Sequence, residues 1–171
     1  MKLTLKEAVL FALFGALMYA SRIAMAVLPN IHLIGVFIVA FTVVYRKKAL
    51  YPLYIFVFLD GLFSGFALWW IPYLYVWTFL WGGAMLIPKK LPKIAAAIVY
   101  PILCALHGFL FGILCAPSQA VFFGLDFNGM IVWIIQGLPF DAIHGVSNFL
   151  CGMLIYPIVM LLKTLEKRIK N

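Results

Sequence analysis

The stretch TLKEAVLFALFGALMYASRIAMAVL, from Thr4 to Leu28, decides how the rest of the chain is read. As a helix, about 25 residues rise about 37 Å, enough to cross a bilayer with some tilt. Thr4 followed by Glu7 is a capping-box pattern, in which hydroxyl and carboxylate each accept a hydrogen bond from a free backbone N–H at the helix start. Lys2 and Lys6 flank it as a cytoplasmic charge cluster does. Ala8, Ala12, Ala16 and Ala20 recur every fourth residue with Gly15 beside them, so one face has almost no side-chain bulk. In lipid, where apolar burial does not drive helices together, such a stripe lets another helix approach closely. Arg22 stands near the far end. Ala24-Met25-Ala26 behind this run imitates a signal-peptide cleavage site. The run is long for a signal peptide, however, and Arg22 falls just before the site, so a retained first span is expected.

Composition fixes the class. Of 171 residues 67% are hydrophobic and 11% charged, whereas soluble domains are apolar over roughly half their residues. The expectation is an all-α integral membrane protein, a single domain over residues 1–171 with about six spans, since no polar stretch is long enough for a soluble module. A net charge of +8 would suggest nucleic acid in a soluble chain, but the basic residues lie in short clusters between apolar runs, which is the positive-inside pattern. Cys104, Cys115 and Cys151 lie in apolar runs without C-x-x-C spacing and read as packing residues. No phosphate-binding loop, nucleophile elbow or zinc-protease spacing is present, so neither ATP use, a cofactor nor a metal is expected of the chain itself. There is no visible inverted repeat of the kind a self-contained secondary transporter often carries.

Six spans follow from the apolar runs. After the first, IHLIGVFIVAFTVVY to Tyr45 is about 15 residues, about 22 Å, too short to cross a core of about 30 Å. Irregular backbone is therefore expected at membrane depth over Val27 to Leu33, and it is tolerated only against protein or a watery cavity. A third helix is expected over Ala49–Phe66, a fourth from Trp69-Trp70 to Ile87, and a fifth over Ile94–Cys115, kinked if anywhere at Pro101. Residues 116–130 read as the longest connection. A short amphipathic piece, Ile131–Gln136, is followed by a break at Gly137-Leu138-Pro139 and a last helix from Pro139 to about Leu162. With six spans, twelve of the thirteen basic residues fall on one side: Lys2, Lys6, Arg46, Lys47, Lys48, Lys89, Lys90, Lys93, Lys163, Lys167, Arg168 and Lys170. Both termini are then cytoplasmic.

The polar residues are unevenly placed in depth. Counting about 1.5 Å per residue, Arg22, Asn30, His32, Asp60, Trp77, His107, Asp141 and His144 come out in the outer half and Asn148 near the middle. The inner half holds little beyond Thr42. A channel needs polar lining along its whole path, whereas a receptor-like pocket needs it only from outside to mid-depth.

Gln136, Asp141, His144 and Asn148 are the densest constellation, the last three sharing one helix face. Asp141 in a first helical turn also has a purely structural reading, as a charge favoured by the helix dipole. Asp60 is mid-helix without that reading. His107 is as readily a packing histidine as a ligand contact, and Arg22 either joins His32 at the pocket or snorkels to the interface. Trp69 and Tyr75 read as interface aromatics. Trp70, Tyr73 and Trp77 repeat on one face, and stacked aromatics beside carboxylates suit a flat heterocycle, a cationic one included.

The whole chain resembles the substrate-binding S component of energy-coupling factor (ECF) vitamin transporters. The resemblance lies in its size, six helices with both ends inside, the stripe Ala8/Ala12/Ala16/Ala20, the irregular PNIHLIG before the second helix and the glycine-bearing RKKALYPLYIFVFLDGLFSG. It implies a protein of the prokaryotic cell membrane that captures a small vitamin-like molecule from outside. It also implies docking through the alanine face onto a transmembrane T component driven by two cytoplasmic ATPases, with no enzymatic activity of its own. Substrate contacts are expected from Arg22, His32, Asp60, Trp70, Tyr73, Trp77, His107, Gln136, Asp141, His144 and Asn148. A thiamine-like or pyridoxine-like heterocycle suits two acids, imidazoles and stacked aromatics. The short first loop leaves residues 116–130 as a candidate lid. The alternative is an intramembrane enzyme or scaffold with Asp60, Asp141 and His144 as acid–base groups.

Overall fold

The computed structural model describes residues 3–170, with side chains as far as Lys167, and is all-helical, with no strand among the described residues. Lys2 and the side chains of Arg168 and Lys170, counted above in the basic clusters, lie outside it. The helices are α1 (Leu5–Ala24), α2 (Ile34–Tyr45), α3 (Leu50–Ser64), α4 (Tyr73–Leu86), α5 (Lys93–Phe109), α6 (Phe111–Phe123), α7 (Phe127–Gly152) and α8 (Ile155–Lys170). Single tight turns of helix occupy Arg46–Ala49 and Leu68–Trp70. Leu110 alone separates α5 from α6, and Met153-Leu154 separate α7 from α8, which leaves six helical segments divided by longer connections. Three stretches are long and apolar enough to cross a membrane: Leu5–Ala24, Lys93–Phe123 and Phe127–Gly152.

The start of α1 is built as its sequence predicts. The Glu7 N–H donates to Thr4 Oγ1 at 3.2 Å and the Thr4 N–H to Glu7 Oε2 at 3.1 Å. Lys48 also pairs with Glu7, tying the helix start to the turn after α2. Phe11, Gly15 and Met18 form the buried face of α1. A Cβ on Gly15 would strike Ile55 and the Pro52 carbonyl, so this glycine belongs to the contact with α3. Ala8, Ala12, Ala16 and Ala20 are exposed on the face that adjoins the buried one.

At the centre lies α2, ten of whose twelve residues are buried. A helix apolar all round is stable only when neighbours surround it, and α1, α4, α5, α7 and α8 all pack against it. Its 12 residues rise only about 18 Å, and residues 25–33 ahead of it are irregular, as the short apolar run predicts. Asn30 turns there with φ 60°, and its carbonyl accepts a hydrogen bond from Ser147 of α7 at 2.8 Å. Thr42, expected in the inner half, donates to the Ile38 carbonyl one turn back. At the other end Arg46 also has a positive φ, 55°, and its guanidinium caps α4 by donating to the carbonyls of Ile87, at 3.0 Å, and Met85.

Glycines draw α5 and α7 together. A Cβ on Gly108 would lie 2.8 Å from both the Gly145 Cα and the His144 carbonyl, and one on Gly152 would lie 2.7 Å from the Pro101 Cα. Small residues at matched heights permit this approach where lipid supplies no hydrophobic drive.

Three sequence expectations are corrected. No helix break occurs at Gly137-Leu138-Pro139: α7 runs unbroken from Phe127 through Pro139 to Gly152, and the interruption comes at Met153-Leu154. A proline removes one donor and crowds one carbonyl, which an apolar helix packed among others tolerates. Nor is 116–130 a long connection, because α6 continues through Pro117 to Phe123. The turn is only Gly124-Leu125-Asp126, with Gly124 left-handed at φ 61° and Asp126 capping α7 through the Gly129 N–H. Residues 116–130 therefore offer a helix pair with a tight turn in place of a loose lid. Finally, the interruption in the fifth segment lies at Leu110 rather than Pro101.

Candidate functional site

The break at Leu110 begins the site. Gly112, in the first turn of α6, has an N–H that the interrupted helix leaves without its usual partner, and both oxygens of Asp141 accept it, at 3.0 and 3.1 Å. Asp141 thus sits mid-way along α7 and complements the amino end of a different helix, which corrects the expectation that it opens its own. A Cβ on Gly112 would collide with that carboxylate.

Around Asp141 lies a cavity of about 330 Å³, within the range that holds a small organic molecule. Trp69, Tyr73, Phe111, Trp133 and Phe140 supply aromatic walls, and Asp141 and His144 are titratable side chains at its inner edge. A larger groove, of about 540 Å³, runs along α3 between Leu50, Tyr51, Tyr54, Ile55 and Phe58. It has no charged side chain in its lining and faces outward, so it suits a lipid chain better than a solute.

Beneath the cavity the three histidines of the chain converge. His32 stands edge-on to His144 at 4.7 Å between ring centroids, and Phe111 lies 4.8 Å from His144. Trp77 closes the circle, 5.7 Å from His32, 5.4 Å from His107 and 5.5 Å from Phe111, while His107 and Phe111 are 5.9 Å apart. Tyr73 extends this cluster toward the cavity, 5.5 Å from Trp77. Trp77, His107, His144 and Asn148 are all buried. His107 Nε2 lies 3.1 Å from the Val76 carbonyl, and Asn148 Nδ2 donates to the Cys104 carbonyl at 3.3 Å. Yet His32 Nδ1, Trp77 Nε1, His107 Nδ1, His144 Nε2 and Asn148 Oδ1 have no hydrogen-bond partner. Among the described residues no group of histidine, cysteine or acidic side chains is arranged to hold a metal ion.

Arg22 and Asp60 form an ion pair behind Trp69 and beside Tyr73, with which the Arg22 side chain also interacts. Arg22 Nη1 lies 2.9 Å from Asp60 Oδ1, joining α1 to α3, with the Asp60 side chain fully buried and that of Arg22 29% exposed. Ser64 donates to the same Asp60 oxygen at 3.4 Å, and the guanidinium stands 5.9 Å from the Trp69 ring. Arg22 thus has a fixed intramolecular partner.

The structure therefore gathers His32, Tyr73, Trp77, His107, Asp141, His144 and Asn148 in one region. It places Gln136 on the exposed side of α7, five residues from Asp141 and so off its face. Trp70 packs under Phe66 and donates to the Val57 carbonyl at 2.7 Å, closing the end of α3. Trp69, read from sequence as an interface residue, lines the cavity instead. Tyr75, read the same way, donates to the Leu114 carbonyl at 2.9 Å. Phe111 and Trp133 went unread. Trp133, Gly137 and Asp141 repeat every fourth residue, a signal hidden by the break expected at Pro139.

No protein-family model, curated protein or solved structure matches this chain.

Proposed function

We propose that this chain is the solute-capture subunit of a membrane importer, similar to the S component of an ECF vitamin transporter, and that it takes a small heterocycle from outside the cell. The observation that carries this reading is the aromatic cavity beside Asp141, set over buried polar atoms that lack partners. Unpaired polar atoms are rare inside folded proteins because each costs about 1–3 kcal/mol. A set of them under an open pocket marks where a guest completes the bonding.

The six helical segments cross the membrane, with α5–α6 and α7–α8 each acting as one span. Both termini are cytoplasmic, because that arrangement alone puts the basic clusters on one side. Short α2 can span because protein surrounds it and the irregular 25–33 link completes the depth. The exposed alanines of α1 receive the T component, which two cytoplasmic ATPases drive. The acid–base alternative asks Asp60, Asp141 and His144 to act on one substrate, whereas Asp60 is engaged by Arg22 and Asp141 by Gly112.

A panel of water-soluble vitamins and related heterocycles tests the reading by thermal unfolding in detergent. One member is expected to stabilise the protein, by about 2.7 kcal/mol at a hundred times its dissociation constant. A panel that leaves the melting temperature unchanged contradicts capture.

A further inference from the structure

We propose that the cavity between the ends of α2 and α8 and the link from α4 to α5 is a site for an anionic phospholipid, a phosphodiester headgroup carried on a diacylglycerol. The inference needs the chain to lie in a membrane and is independent of what the chain captures. The cavity measures about 480 Å³, room enough for a headgroup. Its lining brings Lys89 and Lys90 of the link together with Lys163 and Lys167 of α8, four ammoniums against one carboxylate, that of Glu166. Glu166 also lines a neighbouring cavity with Tyr45 and Lys6, so its charge is shared between the two.

The sign of this charge follows from the positive-inside pattern, but its gathering does not. The basic cluster after α2 is engaged within the protein, where Arg46 donates to the Ile87 and Met85 carbonyls and Lys48 pairs with Glu7. No ion pair engages Lys89, Lys90, Lys163 or Lys167 among the described residues. Lys163 and Lys167 are four residues apart and so share one face of α8, where like charges repel. Lys89 and Lys90 stand on a stiff bracket: Pro88 and Pro92 fix φ on either side, and Leu91 between them packs against the core. Like charges held together in this way call for an anion. The apolar part of the lining decides which anion it is. Val43, Val44 and Met160 complete the wall, and Met160 is 47% exposed beside Leu161 at 59%. A free phosphate has no use for these side chains. A diacyl lipid sets its phosphodiester against the ammoniums and its chains along Met160 and Leu161, as basic pockets between membrane helices do for anionic headgroups.

Native mass spectrometry of the full chain in detergent, titrated with phosphatidylglycerol, phosphatidylcholine and the chain-free headgroup glycerophosphoglycerol, tests the site. Phosphatidylglycerol is expected to bind about tenfold or more tightly than either of the others, since each lysine beside an anionic lipid contributes a factor of about five. Lys163→Gln with Lys167→Gln is expected to remove about tenfold or more of that affinity. Lys47→Gln with Lys93→Gln takes the same charge from exposed residues outside the lining and is expected to leave the affinity within about threefold. The comparison of lipids on the parent protein holds whether or not the variants fold. Equal affinity for the two lipids overturns the site. Equal loss in the two double variants also overturns it, because net surface charge and not the cavity would then hold the lipid. Glycerophosphoglycerol binding as tightly as phosphatidylglycerol overturns the lipid in favour of a soluble phosphate ester.

Discussion

Arg22→Met is expected to destabilise the protein by about 3–5 kcal/mol, the cost of removing one partner from a buried ion pair. The reason lies in the asymmetry of the pair. The Asp60 side chain is fully buried one turn before the end of α3, while Arg22 reaches it from α1 with its side chain 29% exposed. Once Arg22 is gone, Asp60 keeps only the long Ser64 contact and becomes a charge without a counterion. Arg22→Met combined with Asp60→Asn should recover most of the loss, because the double variant buries no charge. Thermal or denaturant unfolding of the two variants and the parent checks this. Equal destabilisation of the single and double variants would mean that the Arg22 stem, and not its charge, holds α1 against α3.

The second large effect is on assembly. Ala12→Leu with Ala16→Leu is expected to abolish association with a T component while leaving solute affinity and melting behaviour unchanged within about 0.5 kcal/mol, as for surface sites elsewhere. Both alanines are exposed, and the buried side of α1 is formed by Phe11, Gly15 and Met18. Two leucines therefore add bulk only where a partner helix would lie. Co-purification and a binding titration on the same preparation separate the two properties. A variant that loses solute binding would place the stripe in the fold's own packing, and one that keeps the T component would place docking elsewhere.

The separation of these two faces on one helix shows what the sequence conveyed and what it withheld. Helical periodicity and the capping box made the start of α1 legible to the residue, because both are local, whereas its end falls at Ala24, four residues before the expected Leu28. The convergence of the three histidines was legible as a common height along their segments, since height follows from counting residues. Which of them meet was not legible, because azimuth around α7 depends on where the helix starts. Reading a break at Pro139 removed Trp133 and Gly137 from the face that carries Asp141. The same misreading gave Asp141 its own helix end, when the end it serves is that of α6. Prolines and polar residues in 116–130 suggested a loop because propensity rules are calibrated on helices in water. In an apolar bundle the missing proline donor costs less than an exposed loop backbone. The Arg22–Asp60 pair could not be read from spacing at all, since its members are on different helices.

The most direct test of the central claim is native mass spectrometry of the chain extracted from the membranes in which it is expressed, followed by identification of anything it retains. The account predicts one small heterocyclic molecule bound in unit stoichiometry and lost when His144 is replaced by leucine. Recovery of the bare chain alone, from membranes supplied with the full panel of candidate heterocycles, would contradict it.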